Sequence, residues 1–280
     1  MAPPTYADLG KASRDMFSKG YNFGFIKLDT TTKSGDIQFK TGASHNQDKG
    51  ALDGNLEIKY NLPAHGMTLT EKWNTKNILA TEVVVTDKLT KGLKLTLETA
   101  YNPAKATRTG KAKLDYSYDA IRATLDSNLA KQPILNAATV LQHKDWLLGL
   151  SAQYDVAKSA VSSTAASIAY AQPSYNLHTF VKDGSEFGGN VYHRVSPKTE
   201  LGATVGWAAG HGTTTFGVAT KYRFSPETVL QAKANDKSEV SLAMVHELAD
   251  GFKMTLSTMA SLKNFQEGGH QFGLGLEYSP

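Results

Sequence analysis

The chain has no cysteine, which excludes a disulfide framework and any thiolate metal site. It also has no run of about 18 apolar residues, so no transmembrane helix is expected. The Met1-Ala2-Pro3-Pro4 start carries neither a basic region nor an apolar stretch. No secretory signal is therefore expected, which counts against a bacterial outer-membrane precursor. Charge of one sign is scarce too. Lys and Arg number 30 against 26 Asp and Glu, a net +4, too small an excess to suggest a nucleic-acid binder. The mean hydropathy of -0.34 would suit a soluble protein. It would equally suit a transmembrane barrel, whose lumen-facing polar residues dilute the apolar ones.

What the chain does have is alternation with period two. Phe272, Leu274, Leu276 and Tyr278 point one way, and Gln271, Gly273, Gly275 and Glu277 the other. Ile26, Leu28 and Thr30 oppose Lys27 and Asp29 in the same manner. Leu56, Ile58, Tyr60 and Leu62 oppose Asn55, Glu57, Lys59 and Asn61. Leu148, Leu150, Ala152 and Tyr154 oppose Gly149, Ser151, Gln153 and Asp155. Short turn signals such as Pro63-Ala64-His65-Gly66, Lys91-Gly92, Asp183-Gly184 and Asp250-Gly251 separate the segments. About 19 strands fit after residue 24, each about 9–11 residues with its turn, the span a tilted strand needs to cross a bilayer. Alternation is weak over 157–175 and 228–236. No linker or composition shift divides the chain, so we read an N-terminal segment over 1–24 and one barrel domain over 25–280.

Residues 5–20 follow a different rule. Thr5-Tyr6-Ala7-Asp8 reads as a variant capping box. Tyr6, Leu9, Met16 and Phe17 then fall on one side of a short amphipathic helix that stops at Gly20. Such a helix could pack on a core, on a polar pore wall or on a membrane surface, and the residues alone favour none of these.

A soluble β-sandwich would also alternate. Here, however, the polar faces carry Lys, Arg, Asp and Glu at mid-strand, while the opposite faces end in Tyr, Trp or Phe, as at Tyr60, Trp73, Tyr101, Trp146 and Trp207. Aromatic girdles of this kind mark membrane interfaces. In lipid only a closed barrel satisfies every backbone group, and about 19 strands enclose a water-filled lumen. The expected fold is therefore an all-β transmembrane barrel. One residue breaks the face rule: Glu71 shares the parity of Met67, Leu69 and Trp73. The pattern leaves two readings open, a carboxylate facing lipid or a local bulge.

At this point the residues resemble a family, the voltage-dependent anion channels (VDAC), porins of the mitochondrial outer membrane. The resemblance runs along essentially the whole chain. It is most specific at 3–11 (PPTYADLGK), 70–74 (TEKWN), 92–95 (GLKL), 183–189 (DGSEFGG) and 273–277 (GLGLE). It implies 19 strands whose first and last pair in parallel, with the N-terminal helix inside the pore. It implies voltage-gated passage of ATP, ADP and other metabolite anions. Nucleotide contacts would fall at Lys11, Lys19 and the triplet Gly92, Leu93 and Lys94. NADH contacts would fall at Val240, Ser241, Ser257 and Ser261, although the acidic Glu239 departs from the family's apolar start there. Glu71 matches a lipid-facing glutamate linked to lipid contacts, hexokinase binding and dimerisation. Implied partners are membrane lipids, metabolite anions, hexokinase, Bcl-2-type proteins and a second copy of the chain, with no nucleic acid. No cofactor is required; ATP, ADP and NADH would be transported or weakly bound. The last strand also fits a mitochondrial sorting signal.

The expected lumen cations are Lys27, Lys59, Lys94, Lys111, Lys113, Arg122, Lys233 and Lys253, joined on the helix by Lys11, Arg14 and Lys19. The expected lumen anions are Asp29, Glu57, Glu98, Asp115, Asp126 and Glu277. In a wet pore no single charge decides selectivity, so a weak anion preference is expected from the sum. Gly20 and Gly24 offer a hinge for gating. The eight histidines, His211 among them, show no metal spacing, and no nucleophile-elbow motif occurs. No enzymatic activity is expected. The alternatives are a soluble or peripheral lipid-binding β-barrel, or an import-type barrel, which should carry longer termini outside the membrane.

Overall fold

A computed structural model describes residues 2–210, 212, 214–263, 265 and 268–280. The first strands are Phe25–Ser34 (β1), Ile37–Asn46 (β2), Leu52–Leu62 (β3), Met67–Asn74 (β4), Leu79–Thr86 (β5) and Leu93–Asn102 (β6). Thr107–Tyr118 (β7), Ile121–Asn128 (β8), Ile134–His143 (β9), Trp146–Asp155 (β10), Ala160–Ala171 (β11) and Tyr175–Lys182 (β12) follow. The rest are Glu186–Arg194 (β13), Thr199–Ala208 (β14), Thr214–Arg223 (β15), Thr228–Asn235 (β16), Glu239–Ala249 (β17), Phe252–Ser261 (β18) and Gln271–Tyr278 (β19).

Consecutive strands pair, and β1 also pairs with β19, so the 19-stranded sheet closes into a barrel with no free edge. The odd count explains the seam. Eighteen reversals leave the last strand pointing the same way as the first, and β1 and β19 run parallel with Ile26 opposite Leu274 and Thr30 opposite Tyr278. No helix among the described residues is long and apolar enough to cross a membrane.

Contacts group the chain into two compact units. The first is Met1–Leu9, Thr32–Thr41 and Asp53–Ile168; the second is Gly10–Thr31, Gly42–Leu52 and Ala169–Pro280. Their borders fall inside β1, β2, β3 and β11 and, at Leu9 and Gly10, just before α1.

Both units invert the usual rule of burial. In the first, Leu148 and Leu150 are 41% and 48% exposed while Asp115 is buried; in the second, Leu242 is 53% exposed while Ser241 and Thr255 are buried. A face of half-exposed Leu, Ile and Val needs an apolar solvent, which a bilayer supplies. Aromatics end that face. Tyr60, Tyr118 and Trp146 lie at one rim of the first unit, with Trp73, Tyr101 and Tyr154 at the other. Strands of 8 to 12 residues then match the membrane's apolar thickness when tilted.

The N-terminal segment departs from the expected continuous helix over 5–20. Tyr6–Asp8 is a single 3-10 turn, and the α-helix (α1) spans only Lys11–Ser18. Gly10, with φ +68°, separates them in the left-handed region, where a side chain is strained. The capping box does not form. Thr5 Oγ1 instead donates to the Asp8 carboxylate at 2.6 Å, and neither helix start has a side-chain cap.

Candidate functional site

Hydrogen-bonded neighbours fix which side chains share the polar face. In the first unit that face is charged. Lys72 lies 3.0 Å from Glu82, and Lys40 lies 3.3 Å from Glu57. Arg122 makes two bonds to Asp115, both 2.8 Å, and a third at 3.3 Å to the carbonyl of the buried Pro3. Such a fork is among the stronger polar contacts, and it ties the chain's first residues to the wall. Lys59, Lys94, Lys111 and Lys113 face the same way and have no ion pair among the described residues. Glu98 likewise has no ion pair there, and Asp126 accepts a bond from Asn136 Nδ2 at 2.9 Å.

In the second unit the polar face carries ion pairs too, Lys221–Glu200 at 3.7 Å and Lys253–Glu277 at 3.8 Å, but small residues stand among them and the N-terminal segment lies there. Met16 is buried against Tyr192 and Ala219, with Ala12 and Phe17 packed beside it. Met16 sits on Gly202, where a Cβ would come 2.9 Å from its sulfur. The His178 and Asn190 side chains, 3.2 Å apart, close on Gly10. Further along, the Asn22 amide donates to Ser257 Oγ at 3.0 Å. The Asn22 carbonyl occupies the space a Cβ on Gly273 would need. The Tyr21 hydroxyl is buried without a hydrogen-bond partner, and burial pushes its pKa up to about 12. In the first unit, Tyr6 and Leu9 rest on Gly149 in the same way.

The expected site residues fall in separate places. Lys11 opens α1 and is exposed; Lys19 follows its end and pairs with Asp15 at 2.7 Å. Gly92 is a turn residue with φ +84°, its amide donating to Asp87 Oδ1 at 2.6 Å. A Cβ there would strike the Ser117 carbonyl, so the position requires glycine. Leu93 then points outward and Lys94 inward, opposite Asp115. Ser241, Ser257 and Ser261 share the inner face of β17 and β18, whereas Val240 has the opposite parity. Ser257 is already engaged by Asn22, and Glu239 stands opposite Ser261, accepting a bond from Asn235 at 2.7 Å. His211 lies outside the described residues.

Glu71 pairs with Ile58 on one side and Thr81 on the other, in an unbroken register. It shares the apolar face with Leu69, Trp73 and Tyr60, and Thr81 Oγ1 donates to its carboxylate at 2.9 Å. No bulge intervenes in β3, β4 or β5.

Two features of this arrangement escaped sequence reasoning. One is Lys233, which read as a solvated lumen cation but donates to the Phe17 carbonyl at 2.5 Å. The other is the footprint of the N-terminal segment. Its signal was present, since glycine recurs on the polar face at Gly149, Gly202, Gly217, Gly273 and Gly275, where the segment comes close to the wall.

Comparison with known proteins agrees with this geometry. The profile of the eukaryotic porin family matches residues 2–273. A voltage-dependent anion-selective channel of Drosophila melanogaster is 44% identical, covering 99% of this chain and 99% of its own. A probable voltage-dependent anion-selective channel of Caenorhabditis elegans is 43% identical over 100% and 99%. The human non-selective voltage-gated ion channel VDAC1 is 41% identical over 99% and 98%. Among solved structures, a triply substituted Rh. blastica porin has a TM-score of 0.52 at 11% identity, covering 90% of this chain and 94% of that one. That likeness concerns the fold alone. A closed barrel with a polar inner face, a docked N-terminal segment and relatives this similar over their full length place the chain in the eukaryotic porin family.

Proposed function

We propose that this chain is a voltage-gated, weakly anion-selective channel of the mitochondrial outer membrane that passes ATP, ADP, other metabolite anions and small ions. The observation that carries the reading is the closed sheet whose inner face holds Lys59, Lys94, Lys111 and Lys113, with no ion pair among the described residues. In a wet lumen each lysine acts weakly, and together they raise the local anion concentration. The paired charges at Lys72–Glu82, Lys40–Glu57 and Arg122–Asp115 cancel at close range, which keeps the preference small. This balance suits a family whose members are named anion-selective in the fly and non-selective in humans. Nucleotides would meet Lys94 behind Gly92 and Leu93, Lys11 at the start of α1 and Lys19 just past its end.

Voltage dependence follows from charge. Moving one elementary charge through 100 mV is worth about 2.3 kcal/mol, so a few charges bias two states. Stepwise conductance of purified protein in a planar bilayer tests the reading; a silent bilayer despite confirmed insertion would refute it.

A second role attaches to Glu71, whose carboxylate lies on the lipid face with the Thr81 hydroxyl beside it. We assign it the contact with lipid, with a docked hexokinase or Bcl-2-type protein, or with a second copy. Glu71→Gln should abolish such binding in a pull-down from liposomes and leave single-channel conductance unchanged.

A further inference from the structure

Resting on the channel reading above, we infer that Lys233 is the positioning residue that latches the N-terminal segment to the wall in the conducting state. Releasing it is then the step that any gating motion of α1 must take first.

The last carbonyls of an α-helix lack partners within it and carry its negative dipole end. In α1 the Asp15 carbonyl accepts from the Lys19 amide at 2.9 Å, and the Arg14 carbonyl from Ser18 Oγ at 2.9 Å. The Phe17 carbonyl is met by Lys233 Nζ at 2.5 Å, from the inner face of β16. The wall therefore supplies a cation at the helix end that favours one.

The same ammonium is bracketed by aromatic rings. It lies 4.1 Å from the Tyr21 centroid and 5.2 Å from that of Phe23, and the two rings are 5.3 Å apart. One wall residue thus grips the segment on both sides of Gly20. Two neutral wall side chains also touch this stretch: Gln231 closes on Gly20, and Ser257 accepts the Asn22 amide. An apolar side chain at 233 could satisfy neither the carbonyl nor the rings, whereas arginine could satisfy both.

This changes the expected hinge. Gly20 and Gly24 do have positive φ, +83° and +71°. The stretch between them is nevertheless fastened: Gly24 donates to the Phe272 carbonyl at 3.0 Å, and Gln47 to the Gly24 carbonyl at 2.8 Å. The glycines let the chain turn against the wall; Lys233 decides whether α1 stays there.

The absence of cysteine allows clean spin labelling of the full chain at two introduced cysteines, Ser18→Cys on α1 and Lys237→Cys in the turn after β16. In liposomes the wild-type distance distribution should be narrow. Lys233→Met should raise the detached population about tenfold, equivalent to about 1.4 kcal/mol. It should also lower the half-closing voltage in planar bilayers. Lys233→Arg should restore both readouts. Lys253→Met, which removes an inner-wall lysine near Glu277, should shift reversal potential alone. If Lys233→Met does not fold, the pair Tyr21→Leu and Phe23→Leu loosens the same contact from outside the strands. A narrow distribution in Lys233→Met or in the aromatic pair would overturn the latch, as would failure of arginine to rescue. The distance readout needs no conduction, so a silent channel would count against the channel reading and leave the latch to be judged on distance.

Discussion

The two units line their polar faces differently. In the first, β3 to β8 present long charged side chains such as Lys94, Lys111 and Glu98. In the second, β13 to β19 present Gly202, Ala219, Ser241, Ser257 and Gly273. The first face touches the N-terminal segment at Arg122 and Gly149; the second holds α1 and the residues that follow it. The difference shows that period two reports only which way a residue points. What the inner residue is tells what lies against it.

Bulk added to the second face should have the largest effect. Gly273→Val puts side-chain atoms where the Asn22 carbonyl lies and should cost about 3 kcal/mol, read from denaturant unfolding in micelles. Thr96→Val, on the charged face, should change stability by less than about 0.5 kcal/mol. Equal costs would erase the distinction between the two walls.

A smaller loss is expected within the charged face. Asp115→Asn leaves the Arg122 fork without its carboxylate, at a cost of about 2 kcal/mol in the same assay. It should also strengthen anion preference, because it removes a negative charge and frees a positive one.

Much of this was legible in the sequence. The strands and their two faces follow from alternation, while the definite count of 19 and the parallel seam between the segments at Phe25 and Gln271 were what the family resemblance implied. The broken helix was less legible. The apolar spacing of Tyr6, Leu9, Met16 and Phe17 fits one continuous helix, and only the left-handed Gly10 sends Tyr6 and Leu9 to Gly149 while Met16 goes to Gly202. Weak alternation over 157–175 has a physical cause too. Ser167 and Ala169, on the inner face of β11, are almost fully buried, and small buried residues do not show the polar signature of a wet wall. Lys233 could not be read locally, since its partner Phe17 lies 216 positions away.

Glu71 offers a finer probe, since it is a charge on the apolar face rather than on either inner wall. Glu71→Gln should raise unfolding stability by about 1 kcal/mol in lipid, because the neutral amide is cheaper to hold there. No gain, or a loss, would place the carboxylate in a polar environment instead.

The smallest stability change, within about 0.5 kcal/mol, is expected from Lys94→Gln, Lys111→Gln and Lys113→Gln together, three exposed lysines with no ion pair among the described residues. Their effect should appear in conduction alone.

The reversal potential of this triple variant beside the wild type, in a salt gradient across a planar bilayer, tests the central claim most directly. The charged wall should give the wild-type open state a weak anion preference, and the variant should move towards zero or to cation preference. A cation-preferring wild type, or a variant with the wild-type potential, would contradict the assignment of selectivity to that wall.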